Sequence, residues 1–175
     1  MVLIKNGAAV ADPWVTVGDD ASLPNGPTIV TLHRWLAERD RLIMRNAPLG
    51  VRIESGQSPA EIATDLDRLA VVALAFPVFT DGRPFSTARQ LRDQYGYKGE
   101  TRAVGDVLRD QILFMVRCGF DAFEMNSDDS AVDWRAAVAE IEVFYQTAAD
   151  NRPSAMESRH VRTNVSEPAR DNYYP

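Results

Sequence analysis

VVALAFPVFTDGRPFSTARQLRDQYGYKGETRAVGDVLRDQILFMVRCGFDAFEM, residues 71–125, alternates extended and helical pieces, and this alternation decides the fold class. Val71–Phe76 is a continuous apolar run, as in a strand covered on both faces. After the Asp81-Gly82 turn, Ser86 is placed to cap a helix carrying Ala88, Leu91 and Tyr95, closed by Gly96. Glu100–Val104 is the next strand. Asp106 is placed to cap a helix rich in Leu108, Ile112, Met115 and Val116, closed by Gly119. Phe120–Met125 is the strand after it. Upstream, Val51–Glu54 is a short strand. It is followed by the capping box Ser58-Pro59-Ala60-Glu61 and a buried stripe of Ile62, Leu66 and Leu69. Four consecutive β-α units thus begin at Val51, Val71, Glu100 and Phe120. Such a series implies a parallel sheet with right-handed crossovers.

The charges inside the strands choose between two shapes. Arg52 with Glu54, and Glu100 with Arg102, recur at period two, so each pair shares one face of its strand. An open, flavodoxin-like sheet would bury these charges under helices. A barrel-like sheet aims them into a lumen, toward the mouth at the C-terminal ends of the strands. The half-barrel is the favoured arrangement and the open sheet the alternative. Four units leave two open edges, and open edges invite pairing. A homodimer, or a complex with another subunit, is therefore expected.

Outside this core, residues 1–27 hold turn signals (Asn6-Gly7, Asp12-Pro13, Pro24-Asn25-Gly26-Pro27) around β-prone pieces such as Trp14–Val17, and read as an N-terminal arm or hairpin. Residues 28–150 form one α/β domain. Within it, 32–45 is a helix with Leu32, Trp35, Leu36, Leu42 and Ile43 near one face, and Ser130 starts a last helix with Trp134, Val138, Ile141 and Tyr145 inward. Residues 151–175 are polar, without an apolar period, and are expected to be a flexible tail.

Composition excludes several functions. The net charge of −6 argues against general nucleic-acid binding. No apolar run is long enough to cross a bilayer, and the N-terminus lacks a signal-peptide core, so a cytoplasmic protein is expected. The lone Cys118 rules out an internal disulfide and an all-protein iron–sulfur cluster. His33 and His160 are isolated from each other in sequence, so no metal site is expected. Neither Gly-x-Gly-x-x-Gly nor a P-loop occurs, so no redox or nucleotide cofactor is assigned to this chain.

Five residues are the candidates for an anion site: Asp81, Arg83, Arg102, Asp106 and Arg109. Asp81-Gly82-Arg83 follows a buried strand, where ligands of α/β folds bind. There Arg83 could pair with an anion while Asp81 orients it; the plainer possibility is a turn with a surface arginine. Arg102 inside a strand needs a partner, and Glu100 or Glu124 could serve. Gly105-Asp106 opens a helix and reads first as a structural cap, with Arg109 one turn further on. The catalytic residues, if any, are not legible.

The same stretch resembles a known family. The pattern F-P-x-F-x-D-G-R, S-x-A-x-x-L-R, G-E-x-R-A-x-G-D-V-L-R-D-Q, R-C-G-F-D-A-F-E is met by Phe76-Pro77, Phe79, Asp81-Gly82-Arg83, Ser86, Ala88, Leu91-Arg92, Gly99-Glu100, Arg102-Ala103, Gly105 to Gln111 and Arg117 to Glu124. Val78 and Pro84 depart from the lysine and glycine of that pattern. It is similar to the signature of a bacterial family catalogued as a domain of unknown function, whose members carry an oxidoreductase label tied to sulfite reduction. The resemblance implies an accessory protein of assimilatory sulfite or sulfate reduction, acting with sulfite reductase or another protein of that pathway. The sirohaem and iron–sulfur cluster would then belong to the partner reductase. The residues themselves keep two other functions open, a small-anion-binding enzyme at the strand ends and a structural interaction module.

Overall fold

The computed structural model describes residues 1–126, 130–150 and 152–162. Eight strands form one sheet: β1 (Val2–Lys5), β2 (Ala8–Val10), β3 (Val15–Val17), β4 (Thr28–Thr31), β5 (Leu49–Ile53), β6 (Leu69–Phe76), β7 (Glu100–Gly105) and β8 (Ala122–Met125). Their order is β2-β1-β8-β7-β6-β5-β4-β3. Strands β3 to β8 run parallel to one another, while β1 lies antiparallel to both β8 and β2. The four expected strands are the central ones. The N-terminal residues are no separate arm: they extend the sheet at both ends, so each edge left open by the four β-α units is paired by this same chain.

That arrangement forces the sheet to curl. Seven strand spacings across a flat sheet span roughly 34 Å at about 4.8 Å each. Val10 at one edge and Val15 at the other are joined by five Cα steps, which reach about 18 Å at most. The edges must therefore approach one another, and the sheet is a half-barrel rather than an open sheet. Strand β2 runs in the same direction as the parallel strands. The linking residues 11–14 consequently leave from their C-terminal level, at Val10, and cross the concave face to the N-terminal level, at Val15.

The two faces are filled differently. The convex face carries the main core, with Trp35, Val51, Ile62, Val72, Leu74, Phe76, Leu91, Ile112, Met115 and Phe123 all buried. Helices cover it: α1 (Leu32–Ile43), a 3-10 segment (Pro59–Arg68), α2 (Arg83–Arg89) continued by one π turn to Gln94, α3 (Ile112–Cys118) and α4 (Ser130–Ala139). The concave face holds a small apolar cluster of Ile29, Val71, Ala73, Ala75 and Val104, capped by Trp14 of the crossing segment. Beside it lies Arg102, only 1% exposed. Its guanidinium donates to Glu100 Oε1 at 2.7 Å, Asp12 Oδ2 at 2.8 Å and Glu124 Oε1 at 3.1 Å, and Lys5 Nζ donates to Glu100 Oε2 at 2.6 Å. Burial works against the Arg102 charge, but the hydrogen bonds to Asp12 and Glu100 outweigh it and hold the guanidinium more firmly protonated than usual.

Several local expectations change. Asp106 and Ser86 do not cap helices. α2 already begins at Arg83 with Pro84 in its first turn, where a missing N–H costs nothing, and α3 begins beyond a 3-10 turn at Arg109–Gln111. Leu36 is half exposed because α1 is interrupted at Glu38, whose φ/ψ is non-helical. Trp134 and Val138 pack on the core, but Ile141 and Tyr145 are exposed because α4 has ended at Ala139. Within the expected tail, Ala155–Arg162 forms α5. Ser154 and Glu157 cap it reciprocally: Ser154 Oγ accepts from the Glu157 N–H at 3.2 Å, and Glu157 Oε2 from the Ser154 N–H at 2.7 Å. Residues 151 and 163–175 of that tail lie outside the described residues.

Arg102 gives the fold a sharp test. Arg102→Leu leaves Glu100, Asp12 and Glu124 clustered without their shared cation and is expected to cost about 3–5 kcal/mol. Asp12→Ala leaves Arg102 two carboxylate partners and is expected to cost about 1–2 kcal/mol. Urea unfolding midpoints at constant slope read both. Equal, sub-kcal losses would mean that the crossing segment is not held by this ion cluster.

Candidate functional site

The C-terminal ends of β5, β6 and β7 meet at the mouth of the half-barrel, and the loops that leave them interlock. Asp81, in the loop after β6, is nearly buried, with 9% of its side chain exposed, whereas Arg83 is 65% exposed. Asp81 accepts from Arg83 Nε at 2.9 Å, Arg83 Nη2 at 2.6 Å, the Arg83 N–H at 3.1 Å and the Ser55 hydroxyl at 2.6 Å. The bonds from Arg83, then that from Ser55, hold the Asp81 carboxyl well below the usual carboxylate range, against the opposing pull of burial. One edge of the guanidinium is thereby committed. Nη1 makes no hydrogen bond among the described residues and passes over Gly56. A Cβ at Gly56, whose φ is +93°, would stand 2.9 Å from that nitrogen.

Asp106 serves the neighbouring loop. Its backbone N–H donates to Phe76 O at 2.9 Å, and its carboxylate accepts from the Phe79 N–H at 2.9 Å. Gln111 Nε2 donates to Phe79 O at 2.7 Å, so both backbone polar groups of Phe79 are tied. The clamp depends on Gly105, at φ +96°, where a Cβ would fall 2.4 Å from Phe76 O. Between these ties Phe79 is 49% exposed, beside Val78 at 51%. The sequence pattern contained Asp106 and Gln111, but their shared target becomes visible only once β6 and β7 are neighbours.

The other candidates are elsewhere. Arg102 sits on the concave face, within the ion cluster under the crossing segment, and offers no free edge at the mouth. Arg109 turns to α4, with Nε 3.8 Å from Asp133 Oδ1. The structure therefore brings Asp81 and Arg83 together, places Asp106 on the adjoining loop, and separates Arg102 and Arg109 from them. Ser55, Phe79 and a group formed by Asp19, Thr31 and His33 at the ends of β3 and β4 join the mouth without having been foreseen.

A cleft of about 520 Å³ lies at the opposite end of the strands, lined by Arg92, Tyr97, Lys98, Asp121 and Trp134 among others. Its arginine is already spent. Arg92 donates to Gly119 O at 2.9 Å, Tyr97 O at 2.7 Å, Gly99 O at 2.9 Å and Asp121 Oδ2 at 2.8 Å, which ties the loops entering β7 and β8. Chemistry therefore favours the mouth over this cleft. Among the described residues no group of three or more metal-ligating side chains converges, and no helix is long and apolar enough to cross a membrane.

The architecture and its interlocked strand-end loops define an α/β half-barrel with a mostly parallel sheet. The chain belongs to the family described as "Bacterial protein of unknown function (DUF934)", whose family model matches residues 50–156, from β5 into α5. No curated protein matches it.

The Asp81–Arg83 pair predicts a pH response. A carboxylate whose folded pKa is depressed stabilises the fold above its unfolded pKa and loses that contribution as pH falls through the lower folded value. The pair is therefore expected to persist at pH 4 and to weaken only in stronger acid. The carboxyl ¹³C shift of Asp81, followed by NMR from pH 7 to 2.5, should show an ionised group at pH 3.5. Arg83→Ala should move its titration up toward about 3.9, the ordinary aspartate value. A midpoint near 4 in the unsubstituted protein would mean the pair does not form in solution.

Proposed function

We propose that this protein is an accessory factor of assimilatory sulfite reduction that docks its partner, sulfite reductase or another protein of that pathway, through the strand-end mouth. The observation that carries the docking is Phe79. Its backbone is fixed at both polar atoms while the residue stays about half exposed, with Val78 beside it and the Asp81–Arg83 pair two residues on. An ordered aromatic surrounded by apolar and charged neighbours loses little conformational entropy on binding, which is the character of an interface hot spot. The sulfur-assimilation setting is supported by the sequence resemblance, and the absence of a cofactor motif favours an accessory role over electron transfer by the chain itself.

A second reading is a small-oxyanion site at the same mouth. It is favoured by one feature, the Nη1 edge of Arg83, which Asp81 orients without occupying. Inorganic sulfite or sulfate should then bind with an Arg83-dependent calorimetric signal. Equal binding by Arg83→Ala would remove that residue from the site.

The docking reading is tested by capture from sulfate-grown cells. The tagged protein should retain a sulfite-reductase component, and Phe79→Ala should weaken that capture by about 2 kcal/mol, roughly thirtyfold in Kd. Undiminished capture by the variant excludes Phe79 as the anchor; recovery of no pathway component, even after cross-linking, excludes the partner. A deletion strain should grow on sulfide but not on sulfite as sole sulfur source.

A further inference from the structure

We propose that His33, oriented by Asp19, takes up a proton as a small oxyanion binds at the mouth on Arg52, and donates a charged hydrogen bond to it. The inference rests on the small-oxyanion reading of the mouth and adds to it a second cation and a group able to exchange a proton.

The arrangement is built from the ends of three adjacent strands. Thr31 is the last residue of β4 and the register partner of Arg52 on β5. The Thr31 hydroxyl donates to Asp19 Oδ1 and accepts from the Arg34 N–H at 3.0 Å, so it caps α1 and fixes the carboxylate together. His33 Nδ1 lies 3.0 Å from Asp19 Oδ2. Asp19 is fixed from behind as well. The buried Arg34 guanidinium donates to the carbonyls of Gly18 and Ala21, both at 2.7 Å, and so holds the loop that presents it. The hydroxyl bond from Thr31, aided by His33 and opposed by slight desolvation, lowers the Asp19 carboxyl from its ordinary range.

The chemistry follows from the two ring nitrogens. A carboxylate at Nδ1 fixes the orientation of the imidazole ring and leaves Nε2 to face a ligand. His33 Nε2 makes no hydrogen bond among the described residues, and the side chain is 76% exposed. Next along the rim, Arg52 donates through Nε to Glu54 Oε1 at 2.6 Å and makes no other hydrogen bond among the described residues, so both Nη groups are open. A guanidinium edge of this kind takes two oxygens of a small oxyanion. The charged groups on the elements beside His33 are Asp19 and Asp20 from the loop after β3, Arg34 on its own helix, and Arg52 and Glu54 at the end of β5, whose Arg52 pairs in register with Thr31. On binding, the neutral imidazole takes one proton from solvent at Nε2 and donates that N–H to an oxygen of the anion, and no covalent bond of the anion forms or breaks. No oxidant or reductant is consumed.

Calorimetric titration with inorganic sulfate at pH 7.0, in two buffers of different ionisation enthalpy, counts the protons taken up, because sulfate does not itself titrate near neutrality. The full chain is expected to bind sulfate with net proton uptake. His33→Asn should bind within about threefold of the unsubstituted affinity but take up none. Asp19→Asn should reduce the uptake with affinity similarly retained, as a positioning role requires. Arg52→Met should lower affinity about tenfold or more, while Arg52→Lys recovers part of it and shows that the loss is one of charge rather than folding. Sulfate binding with unchanged uptake in His33→Asn overturns this inference and leaves the oxyanion reading intact. Absence of sulfate binding by the unsubstituted chain overturns both.

Discussion

Five Cα steps join the two edges of an eight-stranded sheet, and much of the molecule follows from that short connection. A flat sheet cannot satisfy it, so the sheet curls and its concave face is crossed by residues 11–14. The crossing segment then needs its own anchors. Trp14 supplies an apolar one against a patch of small residues, where Ala73 and Ala75 leave room that larger side chains would fill. Asp12 supplies an ionic one to Arg102. A buried arginine is weak evidence for stability when counted alone, because desolvation opposes the attraction. Here its role is positional. It joins β7, β8 and the crossing segment at one point, while Lys5 brings in β1 through Glu100.

The division of labour between the ends of the half-barrel follows. Toward the N-terminal ends of the strands, Trp14 and the Arg102 cluster fill the concave side and Arg92 ties the loops together. Toward the C-terminal ends, the loops bind one another through Asp81 and Asp106, yet Arg83 and Arg52 keep free donor edges and Phe79 keeps an exposed ring. Four carboxylates that shape this mouth are already hydrogen-bonded: Asp19 to Thr31 and His33, Glu54 to Arg52, Asp81 to Arg83 and Ser55, and Asp106 to the Phe79 amide. Beside them Arg52 and Arg83 present open donor edges and Phe79 an apolar surface. That balance suits an acidic or oxyanionic ligand, or a protein surface, better than a cation.

Edge pairing within the chain bears on assembly. The short outer strands β2 and β3, three residues each, now form the sheet edges. Edges of that length are a poor template for adding strands. A second copy is therefore no longer required to complete the sheet, and association through the mouth stands on its own surface chemistry.

The alternation of apolar runs and turn residues alone determined the parallel core, because a β-α unit writes itself locally: Val71–Phe76 can be little but a buried strand, and Gly119, at φ +104°, ends α3 where expected. The period-two charges of Arg52, Glu54, Glu100 and Arg102 likewise pointed to a curled sheet with a polar concave face. Even the capping box Ser154-Ala155-Met156-Glu157 was present in the letters, hidden by the polar composition around it. Tertiary structure decided what depends on distant segments meeting. Asp12 and Arg102 are separated by 90 positions, and no periodicity links them. Asp106 looked like a helix cap because capping is the commonest local use of an aspartate after a glycine; its partner, the Phe79 amide, is 27 residues away and comes within reach only across β6 and β7. His33 and Asp19 belong to different elements, and their pairing is set by the parallel register of β3 and β4. Local propensity specifies elements, but a site assembled at the ends of several strands is specified by the order in which they pair.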